Sequence, residues 1–169
     1  MYDFKIEAAD KPSFYRALVE AADALTAGEP DPIANMANVA ALLWESLPDV
    51  NWAGFYRNVG GELVLGPFQG RPACIRIPFG KGVCGAAAAS LAPQLVADVH
   101  AFPGHIACDA ASRAELVVPI VVDGALVGVL DLDSPTPARF DKEDEAGCVI
   151  LIQRIGGRLD SMEKAQIKG

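Results

Sequence analysis

Three of the chain's four cysteines, Cys74, Cys84 and Cys108, fall within one stretch from Pro72 to Pro119, and Glu115 near its end leads an apolar run. Thiols gathered in this way can attack an electrophilic sulfur, clear a sulfenic acid as a disulfide, or hold a metal. Further along, Asp131 and Asp133 alternate onto one face of a strand. Close carboxylates raise each other's pKa, so one of them could keep a proton to give away. Earlier in the chain Trp52 and Tyr56 share one side of another strand, a position that suits core aromatics and pocket walls alike. Cys84 opens an alanine-rich helical run, where the helix dipole is expected to lower a thiol pKa. Cys148 lies on the apolar stripe of a later helix and reads as a small core residue.

Metal and cofactor patterns are weak. His100 and His105 could join the cysteines around zinc, but their spacings follow no structural-zinc pattern. Gly80 to Gly85 lacks the Gly-Lys-Ser/Thr ending of a phosphate loop, and there is no dinucleotide fingerprint, so neither a metal nor an organic cofactor is expected.

A length of 169 residues with a hydrophobic fraction of 51% suits one globular domain over 1–169. A net charge of −8 argues against nucleic-acid or anionic-membrane surfaces, leaving a small soluble partner or substrate. The start of the chain lacks the pattern of a secretory signal and no segment reaches membrane-spanning length, so a cytoplasmic location is expected. In that compartment thiols are kept reduced, and cysteines are more often catalytic, metal-binding or buried than structural.

The elements that must position these residues follow from periodicity and caps. Asp10-Lys-Pro12 and Asp31-Pro32 start two helices, the first ending at Gly28 and the second at Pro48. Phe14, Leu18, Ala22 and Leu25 face inward from the first; Ile33, Met36, Ala40, Leu43, Trp44 and Leu47 do so from the second. Asn51 onward alternates, turns at Gly60-Gly61, and returns through Phe68 as a hairpin. Arg71 to Pro78 and Leu95 to Val99 are expected strands, Val83 to Leu91 a short helix, and His100 to Ser112 a loop carrying Cys108. Glu115 to Val122 and Ala125 to Asp133 form a hairpin around Asp123-Gly124. A last helix opens at Phe140-Asp141, with Asp144 completing a capping box and Cys148, Leu151, Ile152, Ile155, Leu159 and Met162 along its stripe. The order predicts an α+β fold, a central antiparallel sheet with helices mainly on one face.

The runs Asn51-Trp-Ala-Gly-Phe-Tyr56, Ala73-Cys74-Ile-Arg-Ile-Pro-Phe-Gly-Lys-Gly-Val-Cys84-Gly, Asp98-Val-His-Ala-Phe-Pro-Gly-His-Ile-Ala-Cys108-Asp and Gly128-Val-Leu-Asp131-Leu-Asp133-Ser resemble the free methionine-R-sulfoxide reductases, small enzymes built on a GAF domain. The resemblance spans about Asp31 to Leu159, leaving 1–30 as an N-terminal helix region and 160–169 as a tail. It implies a GAF-like fold and free L-methionine R-sulfoxide as substrate. It further implies Cys108 as the attacking cysteine, Cys74 as the usual resolving cysteine and Cys84 as a third that can also pair with Cys108. Glu115, Asp131 and Asp133 would hold the substrate, with Trp52 and Tyr56 as its aromatic pocket, no cofactor, and a thioredoxin-like reductant. GAF domains often pair, so a homodimer is a candidate assembly.

The chemistry sets a structural requirement. A sulfoxide needs a thiolate at sulfur, a proton for the departing oxygen and a second thiol, and Glu115 with Asp133 is the pair expected to polarise the oxygen. If Asp123-Gly124 were a simple two-residue turn, Glu115 would fall opposite Leu132 on the wrong face. The function therefore predicts a bulge, a longer loop, or Glu115 outside the regular ladder. Two other classes stay open: a GAF module that binds a small effector without turnover, and a cysteine redox switch without substrate.

Overall fold

Three aspartates start the three longer helices. Asp10 accepts from Ser13 N ahead of α1 (Lys11–Thr26), Asp31 accepts from Ile33 N and Ala34 N ahead of α2 (Pro32–Ser46), and Asp141 forms a capping box with Asp144 at α4 (Lys142–Ile155). The shorter α3 (Gly82–Ser90) has no side-chain cap. The structure, a computed structural model, describes residues 5–104 and 110–160. Cys108 and Met162 lie outside the described residues.

Six strands, β1 (Trp52–Val59), β2 (Glu62–Gly70), β3 (Arg76–Pro78), β4 (Gln94–Val96), β5 (Ala114–Val122) and β6 (Ala125–Ser134), form one antiparallel sheet in the order β3-β2-β1-β6-β5-β4. Side chains alternate across it. One face presents Ala53, Phe55, Leu116, Val118, Ile120, Leu130 and Leu132 to α1, α2 and α4, which pack there as a single core. The opposite face presents Trp52, Tyr56, Val117 and Val129, covered by Ile77 and by Val83, Cys84, Ala87 and Ala88 of α3. Helices thus lie mainly on one face, with α3 as the exception that roofs the other.

The β5–β6 hairpin carries the irregularity that sets which face Glu115 occupies. Asp123 and Gly124 both have positive φ, 51° and 80°, as a tight two-residue turn compatible with strand twist requires. Next to the turn Val122 pairs with Ala125 and Val121 with Leu126, but Ile120 then pairs with Gly128, leaving Val127 as an extra residue in β6. From that bulge onward the register is shifted by one, and Glu115 pairs with Asp133 and Leu116 with Leu132.

Several expectations are corrected. The strand expected from Arg71 contracts to Arg76–Pro78, extended by one hydrogen bond from Leu65 N to Ile75 O. Pro72 and Pro78 supply no N–H to an edge strand, and Ile75 is 70% exposed. The strand expected over Leu95 to Val99 is Gln94–Val96, because the Asp98 side chain accepts from His100 N and turns Val99–Ala101 into a 3₁₀ helix. On α2, Trp44 is 39% exposed and not part of the packing. Among the described residues no helix is long and apolar enough to cross a membrane.

Candidate functional site

Alternation along three adjacent strands brings the acidic and aromatic residues together. Trp52, Gly54 and Tyr56 of β1 stand on the face opposite the helical core, beside Asp133, Asp131 and Val129 of β6, with Glu115 and Val117 of β5 beyond. One row across the sheet therefore reads Trp52, Asp133, Glu115. The N-terminal turn of α3 lies over this face, and a pocket opens between them, lined by Trp52, Tyr56, Cys84, Glu115, Asp131 and Asp133 together with Ala73, Lys81, Gly82 and Ser112.

The aromatic wall is fixed at several points. Trp52 stacks on Tyr56 at 5.9 Å between centroids and on Phe68 at 5.1 Å, and its Nε1 donates to Arg71 O at 3.2 Å. Phe68 can approach because its partner in the ladder is Gly54, where any Cβ would collide with the Phe68 side chain. The Tyr56 hydroxyl donates to Cys74 O at 2.9 Å, tying the segment that carries Cys74 to the pocket wall.

The acidic floor is almost dry. Glu115 is 7% exposed and Asp131 is 6% exposed, while Asp133 is half-buried. Burial raises the Glu115 carboxyl well above the usual carboxylate range, and the neighbouring Asp131 and Asp133 push it the same way. Burial likewise pushes Asp131 up to about 7, against the opposing pull of its interactions with Cys84 and Glu115. Cys84 Sγ donates to Glu115 Oε1 at 3.8 Å. Its thiol is held well above the ordinary thiol range, first by burial and then by Asp131 and Glu115. This reverses the expectation drawn from its place at the start of α3: a helix end favours the thiolate only where water or a cation can also reach it, and Cys84 is 3% exposed and faces two acids.

Cys74 is half-buried beside the aromatic wall and is disulfide-bonded. Cys84 and Cys148 are free thiols, and Cys148 is fully buried in the helical core on the far side of the sheet. Of the residues singled out from the sequence, Trp52, Tyr56, Cys84, Glu115, Asp131 and Asp133 therefore share one pocket, and Cys74 is tied to its wall. Cys108 falls outside the described residues. Lys81, Ser112 and Phe68 were not anticipated. Lys81 could have been found from its place just before an uncapped helix, whereas nothing local marks Ser112 or Phe68.

Sheet order, the helical layer on one face and the recess under α3 on the other define a GAF domain, and the GAF domain family model matches residues 31–159. The chain is 52% identical to the free methionine-R-sulfoxide reductase of Escherichia coli over 86% of its own length and 88% of that protein's. Among solved structures, the free methionine-R-sulfoxide reductase of Neisseria meningitidis in complex with its substrate superposes with a TM-score of 0.90 at 44% identity, covering 94% of this chain and 96% of that one. A putative GAF sensor protein from Burkholderia vietnamiensis superposes with a TM-score of 0.86 at 55% identity, covering 89% of this chain and 99% of that one. The chain belongs to the free methionine-R-sulfoxide reductases of the GAF family.

Proposed function

We propose that this protein reduces free L-methionine R-sulfoxide to L-methionine through a cysteine sulfenic acid. The observation that carries the reading is the burial of Glu115 and Asp131 against one another in the pocket walled by Trp52 and Tyr56. Buried acids at raised pKa keep a proton to far higher pH than an exposed carboxyl and can polarise a sulfoxide oxygen; their burial favours Glu115 with Asp131 for this role in place of the Glu115–Asp133 pair expected from the sequence. Asp133, nearer to water, suits the substrate ammonium, which a peptide-bound methionine lacks. Lys81 and the positive end of α3 suit its carboxylate. Trp52 and Tyr56 form the apolar wall for the methyl and methylene groups.

In the reaction the Cys108 thiolate attacks the sulfoxide sulfur, the S–O oxygen passes to Cys108 as a proton arrives from the acid pair, and methionine leaves with a sulfenic acid on Cys108. The Cys74 thiol then attacks that sulfenic sulfur, water departs, and a Cys74–Cys108 disulfide forms. A thioredoxin-like dithiol reduces it, becoming a disulfide itself. The disulfide-bonded state of Cys74 supports this assignment of the resolving role, with Cys84 as a buried reserve. A cytoplasmic location suits such a reductant, and a homodimer is compatible with the scheme.

The test is turnover of free methionine sulfoxide with dithiothreitol or a thioredoxin system. Methionine should accumulate with the intact chain and not with Cys108→Ser. Ligand binding without turnover would instead make the pocket a sensor site, and peroxide-driven disulfide formation without reductase activity would make the cysteines a switch.

A further inference from the structure

Cys84, Glu115 and Asp131 come from α3, β5 and β6, so no spacing in the chain announces them as a set. Folded, one ligand atom from each lies within 4.8 Å of the other two, and all three residues are buried. A tetrahedral zinc ion with Zn–S near 2.3 Å and Zn–O near 2.0 Å holds its sulfur and oxygen ligands about 3.5 Å apart. The Cys84 Sγ to Glu115 Oε1 distance is 3.8 Å. Asp131 supplies a second observation: apart from Cys84 and Glu115 themselves, nothing among the described residues meets its Oδ1, which is buried within the pocket wall. Such an atom is costly unless something comes to meet it.

We infer that Cys84, Glu115 and Asp131 form a binding site for one thiophilic divalent cation of the zinc class, and that the ion occupies the pocket in place of substrate. Three protein ligands with one face open to the cleft leave a fourth position for water, the arrangement of an accessible zinc site. The ion is an inhibitor here and has no part in turnover. Because Cys84 is a free thiol while Cys74 is disulfide-bonded, the site persists in that oxidised form. The inhibition rests on the reductase reading of the pocket; the binding does not.

The test uses the full chain, reduced, desalted and kept anaerobic, with Co²⁺ as the spectroscopic probe and Zn²⁺ as the inhibitor. Co²⁺ should bind at one equivalent with a sulfur-to-cobalt charge-transfer band. Cys84→Ala should abolish that band and Cys148→Ala should keep it. Asp131→Asn, which preserves side-chain shape, should weaken binding at least about tenfold. Equimolar Zn²⁺ should suppress the single-turnover yield of methionine, with recovery on adding EDTA or excess methionine sulfoxide. Absence of the band, or its survival in Cys84→Ala, overturns the site while leaving the reductase reading intact. A band in a protein that makes no methionine without metal would uphold the site and sink the reductase reading.

Discussion

Glu115 stands directly opposite Asp133 in the β5–β6 ladder, and it does so because Val127 is carried as an extra residue near the turn. A straight ladder from the same turn would set Glu115 against Leu132, whose side chain belongs to the helical core. Deleting Val127 removes only the unpaired residue, so Ile120 should still meet Gly128 and Glu115 should still meet Asp133 in a straight ladder. We expect the variant to keep its far-ultraviolet spectrum and to turn over within about tenfold of the parent, because the extra residue serves only to set this register from a two-residue turn. A folded deletion variant slower by about 100-fold, the cost of misplacing a reacting group by an ångström, would show that the bulge does more than set register.

Asp131 gives the pH dependence. Its pKa rises from 3.8 to about 7 on folding, so its proton is present at mildly acidic pH and lost as pH climbs through about 7. The single-turnover rate should lose its acid-donor contribution over that window, and Asp131→Asn should lower the rate and remove that limb of the profile. The stability sign follows from the same shift. A raised folded pKa contributes stability that is fully present below pH 3.8 and lost as pH rises through about 7. At pH 8 Asp131→Asn should accordingly melt higher than the parent, by about 2 kcal/mol or about 4–8 °C in Tm. Equal melting temperatures at pH 8 would argue against a buried carboxylate there.

How much of this was legible in the chain depends on whether a local rule or a tertiary one decides. The aspartate caps, the Asp-Gly hairpin and the capping box of Asp141 with Asp144 are local, and the fold uses each as expected. The bulge was legible only as a demand: the chemistry implied by the resemblance asks for Glu115 on the acidic face, but no residue type marks Val127 as the one set aside. Cys84 shows a local rule overruled, because desolvation and two facing acids outweigh the helix end. Burial likewise separates Asp131 from Asp133, two positions that strand alternation treats alike. Trp44 was misplaced because a helical stripe has margins, and Ile33 and Trp44 sit on them at 40% and 39% exposure.

The two candidate resolving thiols should separate cleanly. Cys74 is disulfide-bonded and half-exposed to its surroundings, whereas Cys84 is buried, protonated and hydrogen-bonded to Glu115. Cys74→Ser should still release about one methionine per chain in a single turnover but lose at least about tenfold in thioredoxin-supported turnover. Cys84→Ser should retain most of the recycling rate. If Cys84→Ser is the variant that stalls, the resolving roles are exchanged.

Stability away from the site rests on the contact of α1 with α4. Buried Asp144 accepts from Tyr15 Oη at 2.8 Å and from Lys11 Nζ at 2.7 Å, and the Tyr15 ring lies where a Cβ at Gly147 would be. Tyr15→Phe should cost about 1–2 kcal/mol and Gly147→Ala about 1–3 kcal/mol, measured by denaturant unfolding. Turnover below the melting transition should be unchanged in both. A Gly147→Ala protein as stable as the parent would contradict the tight packing of these two helices.

The central claim is that the acids and aromatic wall grip a free amino acid while Cys108 takes the oxygen from its sulfur. The most direct measurement is methionine release from the separated R and S epimers of methionine sulfoxide, each supplied free and within a peptide, by the intact chain and by Cys108→Ser. The account predicts turnover of the free R epimer alone, and none by the variant. Preference for the S epimer or the peptide, or full activity without the Cys108 thiol, would contradict it.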